Sequence, residues 1–309
     1  MTTDVIRPGT TDPTRQKPRI PLLEREQAFG WALSLPGIIV LVATTTIPLG
    51  YLLWTSLFRN NLTSPAGNGF VGLANYAEIA GDSRFWASLL RSAIYTVSTV
   101  LLQVVVGLGL ALLVGRIRRG RGLVRVAAIM PIMFAPVVVG LVWSTLLLTP
   151  DYGVVDFVVQ KLGLGSHNWL GDPTLAFIAV IVMHTWQWTP FAFLVFLASL
   201  AAFPSELEEA ARLDGAGAWQ RFRFLLLPYL RPTIVVVVII RTVIALSAFD
   251  AIYAATGGGP GTATEILNLY AFRVTFQDFN IGYGSALAVV LLLITALVAV
   301  MFSRIRLAR

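Results

Sequence analysis

The run LAFIAVIVMHTWQWTPFAFLVFLASL, Leu175 to Leu200, decides the fold. It is 26 residues long and contains no Asp, Glu, Lys or Arg. A helix crosses the hydrocarbon core of a bilayer with roughly 20 apolar residues. A helix on a water-soluble protein keeps a polar face, whereas this one is apolar all round. Five more runs share the pattern, at about Trp31–Leu57, Leu89–Val114, Leu123–Leu148, Thr233–Ala255 and Gly284–Phe302. Over 309 residues the chain is 56% apolar and 13% charged, where an ordinary soluble domain is about 25% charged. The sequence therefore specifies an all-α polytopic membrane protein with six transmembrane helices.

Residues 1–28 are polar and carry Pro8, Pro13, Pro18 and Pro21, the composition of a disordered tail. The segment is not a signal peptide, because the apolar run behind it is of full spanning length and no small-residue cleavage pattern stands out. Basic residues set the orientation. With six spans, the tail, the 115–122 link, the 201–232 link and the C-terminus share one side. That side holds Arg7, Arg15, Lys17, Arg19 and Arg25, then Arg116, Arg118, Arg119, Arg121 and Arg125, then Arg212, Arg221, Arg223, Arg231, Arg304, Arg306 and Arg309. Arg59, Arg84, Arg91, Lys161 and Arg273 lie on the other. The positive-inside rule places both termini in the cytoplasm, with a membrane domain over 29–305 and a short cytoplasmic C-terminus at 306–309. Topology accounts for the net charge of +7, and no nucleic-acid partner is implied.

Several chemistries are excluded. There is no cysteine, hence no disulfide or thiolate metal site. A nucleotide-binding P-loop needs a Lys followed by Ser or Thr. Lys17 precedes Pro18 and Lys161 precedes Leu162, so this chain does not hydrolyse ATP. His167 and His184 form no local metal motif, and no nucleophile elbow is present. The chain is expected to be a non-catalytic subunit that binds no cofactor.

Downstream of the quoted run lies the most charged part of the interior, EEAARLDGAGAWQRFRFLLLPYL, Glu208 to Leu230. Ser205 and Glu208 have capping-box spacing, and Glu206, Glu208 and Glu209 suit the positive end of a helix. Leu207, Ala210 and Ala211 share one side, and Gly215 is a natural helix stop. A second short helix is expected from Ala218 to about Leu226, ending at Pro228, with Trp219, Phe222 and Leu226 on one face. Such a bracket serves either as a connector at the lipid headgroups or as a docking element for a partner.

The passage resembles the coupling loop of binding-protein-dependent ABC importer permeases. The family signature is Glu-Ala-Ala, three residues, Gly, nine residues and an Ile-x-Leu-Pro ending. Glu209-Ala210-Ala211, Gly215 and Leu225-Leu226-Leu227-Pro228 match it, with Leu225 in the Ile place, and Asp214-Gly215-Ala216 is also typical. Gly72-Leu73-Ala74-Asn75-Tyr76 with Phe85-Trp86, Ala254 to Pro260, and Gly282 to Ala286 resemble other segments of the sugar-type members, represented by the maltose and glycerol-phosphate permeases. The likeness covers about residues 29 to 305. It implies a type I importer transmembrane domain forming half of a pore, in a bacterial cytoplasmic membrane. The implied partners are a second permease, two cytoplasmic ATPase subunits that bind ATP and Mg, and an extracytoplasmic solute-binding protein. It implies ATPase coupling through Glu208, Glu209, Ala210, Ala211, Asp214, Gly215 and Trp219, and import of a sugar or related polyhydroxy solute. An anionic solute such as glycerol phosphate is the alternative. A secondary transporter would need a carboxylate or histidine relay, for which only Asp250 and His184 are available.

Polar groups within spans tend to face a cavity or a partner. Sugars bind through hydroxyl hydrogen bonds and stacked aromatic rings, which singles out Trp186, Gln187 and Trp188, with packing expected for at least one of the two Trp. Arg241, Ser247, Phe249, Asp250 and Tyr253 are the candidates in the fifth span, with Gln103 as a further lining residue. The resemblance places the substrate site at about Leu246 to Tyr253. On a continuous helix Arg241 and Asp250 would face opposite ways. Arg241 suits an anionic group or a structural partner, and Pro190 is expected to kink the fourth span.

Overall fold

The computed structural model describes residues 21–117 and 119–307. Two compact units divide at Tyr51 and Leu52. The first includes most of helix α1, Pro21–Ser56, whose apolar side chains from Leu33 to Leu49 are largely exposed. The tail expected over 1–28 lies outside the described residues as far as position 20. Its last eight residues, from Pro21, are instead the start of α1. Leu22, Leu23 and Glu24 are good helix formers, and proline is accepted at a helix's first position.

The second unit begins with the end of α1 and continues into a hairpin of two short strands, β1 Phe58–Arg59 and β2 Gly69–Phe70, followed by α2 Ala74–Gly81 and α3 Ser83–Arg116. Asp82 caps α3 by accepting the Arg84 amide at 2.8 Å. Next come α4 Arg121–Ile129, α5 Pro136–Val142, α6 Val154–Lys161 and α7 Pro173–Ala201. The quoted run is thus one unbroken helix, continuous through Pro190 and capped by Asp172, which accepts from the Thr174 and Leu175 amides. The chain continues through α8 Ser205–Leu213, α9 Ala218–Arg221, α10 Leu227–Leu246, α11 Asp250–Thr256, α12 Leu267–Phe276 and α13 Ile281–Leu307.

Among the described residues five helical stretches are long and apolar enough to cross a membrane, and the count reaches six when one bent pair is taken as a single span. The bent pair corrects the expectation of a plain helix over Leu123–Leu148. Arg121–Met133 and Pro136–Leu147 meet at 97°. Pro131 and Pro136 flank the break, and a residue before proline is pushed out of the α region; Ala135 is extended, at ψ 137°. The fifth span also differs from its expected range, as described below.

Small residues set the closest approaches. A Cβ on Gly107 of α3 would lie 2.8 Å from the Ala192 Cβ of α7, so these helices meet nearly backbone to backbone, as close-packed membrane helices do. Phe193, Phe196 and Val237 are fully buried beside them. In a second cluster, Val139, Val180, Met183, Ile252 and Leu269 join α5, α7, α11 and α12.

Candidate functional site

Two regions carry the sequence-predicted residues. The first is the bracket after α7. The expected capping box does not form. Pro204, extended at φ −63° and ψ 122°, takes the flanking position, and the Ser205 side chain makes no capping bond. Ser205 is drawn into the first turn, and Glu208 turns one turn onward to Arg212, at 2.5 Å. The stop at Gly215 does form. Gly215 has φ +77°, the Gly215 amide donates to the Arg212 carbonyl at 3.1 Å, and the Ala216 amide donates to the Ala211 carbonyl at 2.9 Å. This pair of bonds is a Schellman motif, which favours glycine because L side chains resist the left-handed region. On the far side of the turn Gln220 Oε1 accepts the Gly217 amide at 2.7 Å, and Arg221 donates to the Ala216 carbonyl at 2.6 Å.

The second helix does not end at Pro228. After α9 the chain makes a π turn, Phe222–Leu226, and runs on into α10. Pro228 therefore lies inside a helical stretch that runs from Ala218 to Leu246, two residues past the π turn. Leu213, Phe224 and Trp219 are 89%, 72% and 70% exposed, an unpartnered apolar surface on a polar element. A hollow of about 380 Å³ next to the turn is lined by Ala211, Asp214, Gly215, Ala216, Gln220 and Phe224, among others. Another of about 420 Å³ includes Phe203, Glu208, Trp219 and Phe222 in its wall. Glu209 and Ala210 are exposed on α8.

The second region lies where the fifth span breaks. The helix expected to run to Ala255 stops at Leu246, and Ser247–Phe249 joins it to α11. Asn268 Nδ2 donates to the freed Ser247 and Ala248 carbonyls at 3.2 and 3.3 Å. The opposite-faces argument for Arg241 and Asp250 therefore lapses, since they lie on different helices. A cavity of about 270 Å³ opens at the break. Its lining includes His184, Gln187, Trp188, Ser247, Phe249 and Asp250.

Of the predicted pathway residues, Gln187, Ser247, Phe249 and Asp250 come together, while Trp186, Arg241 and Tyr253 stay off the lining. The Trp186 ring sits 5.9 Å from that of Trp143, and Tyr253 stacks on Phe249 at 5.3 Å. Arg241 is fully buried. Its Nε donates to Gln103 Oε1 at 2.7 Å, Nη2 donates to His184 Nε2 at 3.1 Å, and Cζ lies 4.5 Å from the Trp188 ring centre. Gln103 is thus an arginine partner, not a lining residue. Of the expected Trp186, Gln187 and Trp188 patch, Gln187 and Trp188 reach the lining, and His184 is a lining residue that the expected pathway residues lacked. The signal was the spacing His184, Gln187, Trp188, which at i, i+3 and i+4 marks one helix face; Trp186 is off it.

At the end of the domain opposite the bracket, a carboxylate clamp holds the Gly-rich loop. Glu265 is fully buried; it accepts from Arg84 Nε and Nη2 at 2.8 and 2.7 Å and from Arg273 Nη1 at 2.8 Å. Arg273 also donates to the Gly257 carbonyl at 2.6 Å. Asp82 accepts the hydroxyls of Tyr270 and Tyr283 at 2.5 and 2.7 Å. Burial alone would raise the Asp82 pKa, but these two hydroxyls and the Arg84 and Phe85 amides hold it below its ordinary value. Burial, reinforced by Asp82, pushes the Tyr270 hydroxyl up. Asp156, in the first turn of α6, is held well below the carboxylate range, first by the His167 amide and further by Gln160, Ser166 and the Asp151 amide. Among the described residues no cluster of His, Asp and Glu is placed to hold a metal.

With this geometry in hand, three comparisons identify the kind of molecule. The family model described as "Binding-protein-dependent transport system inner membrane component" matches residues 103–308. The trehalose/maltose transport system permease protein MalF of Thermococcus litoralis is 36% identical, over 86% of this chain and 89% of that one. The trehalose transport system permease protein SugA of Mycobacterium tuberculosis is 36% identical, over 92% and 90%. A chain of a bacterial alginate ABC transporter, solved with an alginate pentasaccharide-bound periplasmic protein, superposes with a TM-score of 0.77 over 92% of this chain and 96% of that one, at 21% identity, which establishes a shared fold. The fold is that of a type I importer transmembrane domain. The bent and broken spans, the Glu209–Gly215 bracket and the family match lead to one conclusion: this chain belongs to the inner membrane permeases of binding-protein-dependent ABC transport systems.

Proposed function

We propose that this chain is one of two permease subunits of an ATP-driven importer for a sugar or related polyhydroxy solute, and that the bracket couples it to an ATPase subunit. The bracket carries the reading. It is a short, rigid element whose turn is fixed by two backbone bonds at Gly215 and whose large apolar groups are exposed. Leu213, Trp219 and Phe224 give it the character of a surface awaiting a partner. Having no P-loop lysine, the chain draws its power stroke from ATP and Mg bound on two partner ATPase subunits. The bracket belongs on the cytoplasmic side with both termini, as the arginine distribution requires. Glu208 has a structural part, through Arg212. Glu209, Ala210, Ala211, Asp214, Gly215 and Trp219 form the contact surface.

The cavity at the fifth-span break is the solute's path. Gln187, Ser247 and Asp250 offer hydroxyl-compatible hydrogen bonds, and Trp188 and Phe249 offer aromatic surface. The names of the relatives support a sugar. Family membership supports delivery by an extracytoplasmic binding protein and alternating access through a pore shared with a second permease. The test is Glu209→Lys in the assembled complex. ATPase copurification and solute uptake are both expected to fall while the permease itself stays folded. Unchanged assembly and uptake would refute the coupling assignment. Trp188→Ala is expected to raise the solute concentration that half-saturates stimulated ATP hydrolysis; no change would remove the cavity from the path.

A further inference from the structure

The cavity at the fifth-span break has an electrostatic sign that no motif reveals. Two ionisable side chains belong to its lining, His184 and Asp250. Arginine can only donate hydrogen bonds, so the 3.1 Å contact from Arg241 Nη2 makes His184 Nε2 the acceptor. The imidazole is therefore neutral, with its proton on Nδ1. Asp250 is exposed and opens α11 at the cavity edge. Arg241 is the nearby cation, but it is fully buried and is not among the lining residues. Its guanidinium is engaged through Nε by Gln103, through Nη2 by His184 and by the face of Trp188, while Nη1 is buried and makes no hydrogen bond among the described residues. A cation on an aromatic face is attracted by the ring quadrupole, which holds the guanidinium against Trp188.

We infer that this chain's wall of the cavity presents a single acidic charge to the solute, and that it selects uncharged or amine-bearing polyhydroxy solutes against phosphate, sulfonate or carboxylate sugars. Arg241 is a tie between helices α3, α7 and α10, not an anchor for an anion. The inference deepens the sugar-permease reading and rests on the cavity being the solute's path. It specifies the solute's charge, which the bracket and the family match leave open.

The chain lacks cysteine, so Ser247→Cys places one thiol in it, on the cavity lining. The purified complex is treated with a trimethylammonium thiosulfonate and, separately, with a sulfonate-bearing thiosulfonate. Labelling of this subunit is followed by mass, and each rate is divided by that reagent's rate with a free small thiol. One unit charge at roughly 7 Å in a water-like dielectric gives a cation preference of about fivefold to tenfold. Adding Asp250→Asn is expected to bring the ratio to about one, and adding Arg241→Gln to leave it unchanged. An anion preference, a ratio that survives Asp250→Asn, a ratio altered by Arg241→Gln, or a thiol that reacts with neither reagent would overturn the inference. If Arg241→Gln blocks assembly, the Asp250→Asn arm still decides, because Asp250 is exposed. Labelling reads charge and the Trp188→Ala assay reads the path, so failure of one is distinguishable from failure of the other.

Discussion

Gly215→Val probes the coupling bracket through a single backbone angle. Gly215 holds φ +77°, and a Cβ built there would meet no atom within 4 Å. The penalty for a side chain is therefore conformational, with no clash to relieve. A left-handed residue costs about 1–2 kcal/mol for an L side chain, and a β-branched one is an outlier there. That energy corresponds to roughly a 5- to 30-fold loss of the turn that carries both Schellman bonds. If the ATPase subunit binds only the formed turn, its apparent affinity falls by the same factor. Asn tolerates the left-handed region, so Gly215→Asn should retain most of the affinity and Gly215→Ala should fall between the two. The global unfolding midpoint should barely move, because Leu213, Trp219 and Phe224 are exposed and the bracket contributes no buried residue to the clusters of the domain. The assay is ATPase retention on affinity-captured permease over a titration of ATPase subunit, with thermal unfolding in parallel. Equal retention by the Val and Asn variants would refute the reasoning, and so would a loss of retention that merely tracks a fall in midpoint.

Further perturbations separate the other elements. Glu265→Ala removes the carboxylate shared by Arg84 and Arg273. Breaking a buried pair costs about 3–5 kcal/mol, and the lower end is expected because the arginine side chains keep 39% and 22% exposure and can rehydrate; thermal unfolding of the complex measures it. Gly107→Leu drives a side chain into Ala192 at the α3–α7 contact and should destabilise by about 1–3 kcal/mol, visible as a lower midpoint and reduced expression. Asp82 and Asp156 both have depressed folded pKa values, so the unfolded chain takes up protons first as pH falls. Their stabilisation is complete above about pH 4, the ordinary carboxylate value, and fades as pH drops toward the folded values. Asp156→Asn should flatten the acid limb of the midpoint-versus-pH curve, and an unchanged limb would remove Asp156 from the account. Trp219→Ala should weaken ATPase retention with no change in midpoint.

The sequence determined the class, the number of spans and the bracket, because each rests on information local to the chain. Apolar runs of bilayer length need no tertiary context, and Gly215 states a backbone requirement wherever the surrounding helices lie. Local rules failed where two of them competed. Ser205 and Glu208 had capping-box spacing, but Pro204 claimed the flanking position and Arg212 claimed the glutamate. Pro228 had the look of a stop, but the chain stays helical through it, from Ala218 by way of a π turn to Leu246. The break at Ser247–Phe249 sits in a run with no proline or glycine to announce it, whereas Pro131 and Pro136 mark the bend at Phe134–Ala135 without stating its angle. Only the tertiary structure decided which polar residues meet. Arg241 reaches Gln103, 138 positions away in the chain, and Glu265 reaches Arg84 across 181. Partners that distant are brought together by helix packing, through contacts such as Gly107 against Ala192, and no periodicity within one helix encodes them. For the same reason the sequence could nominate Arg241 and Asp250 for the pathway alike, while the fold buried one and left the other facing the cavity.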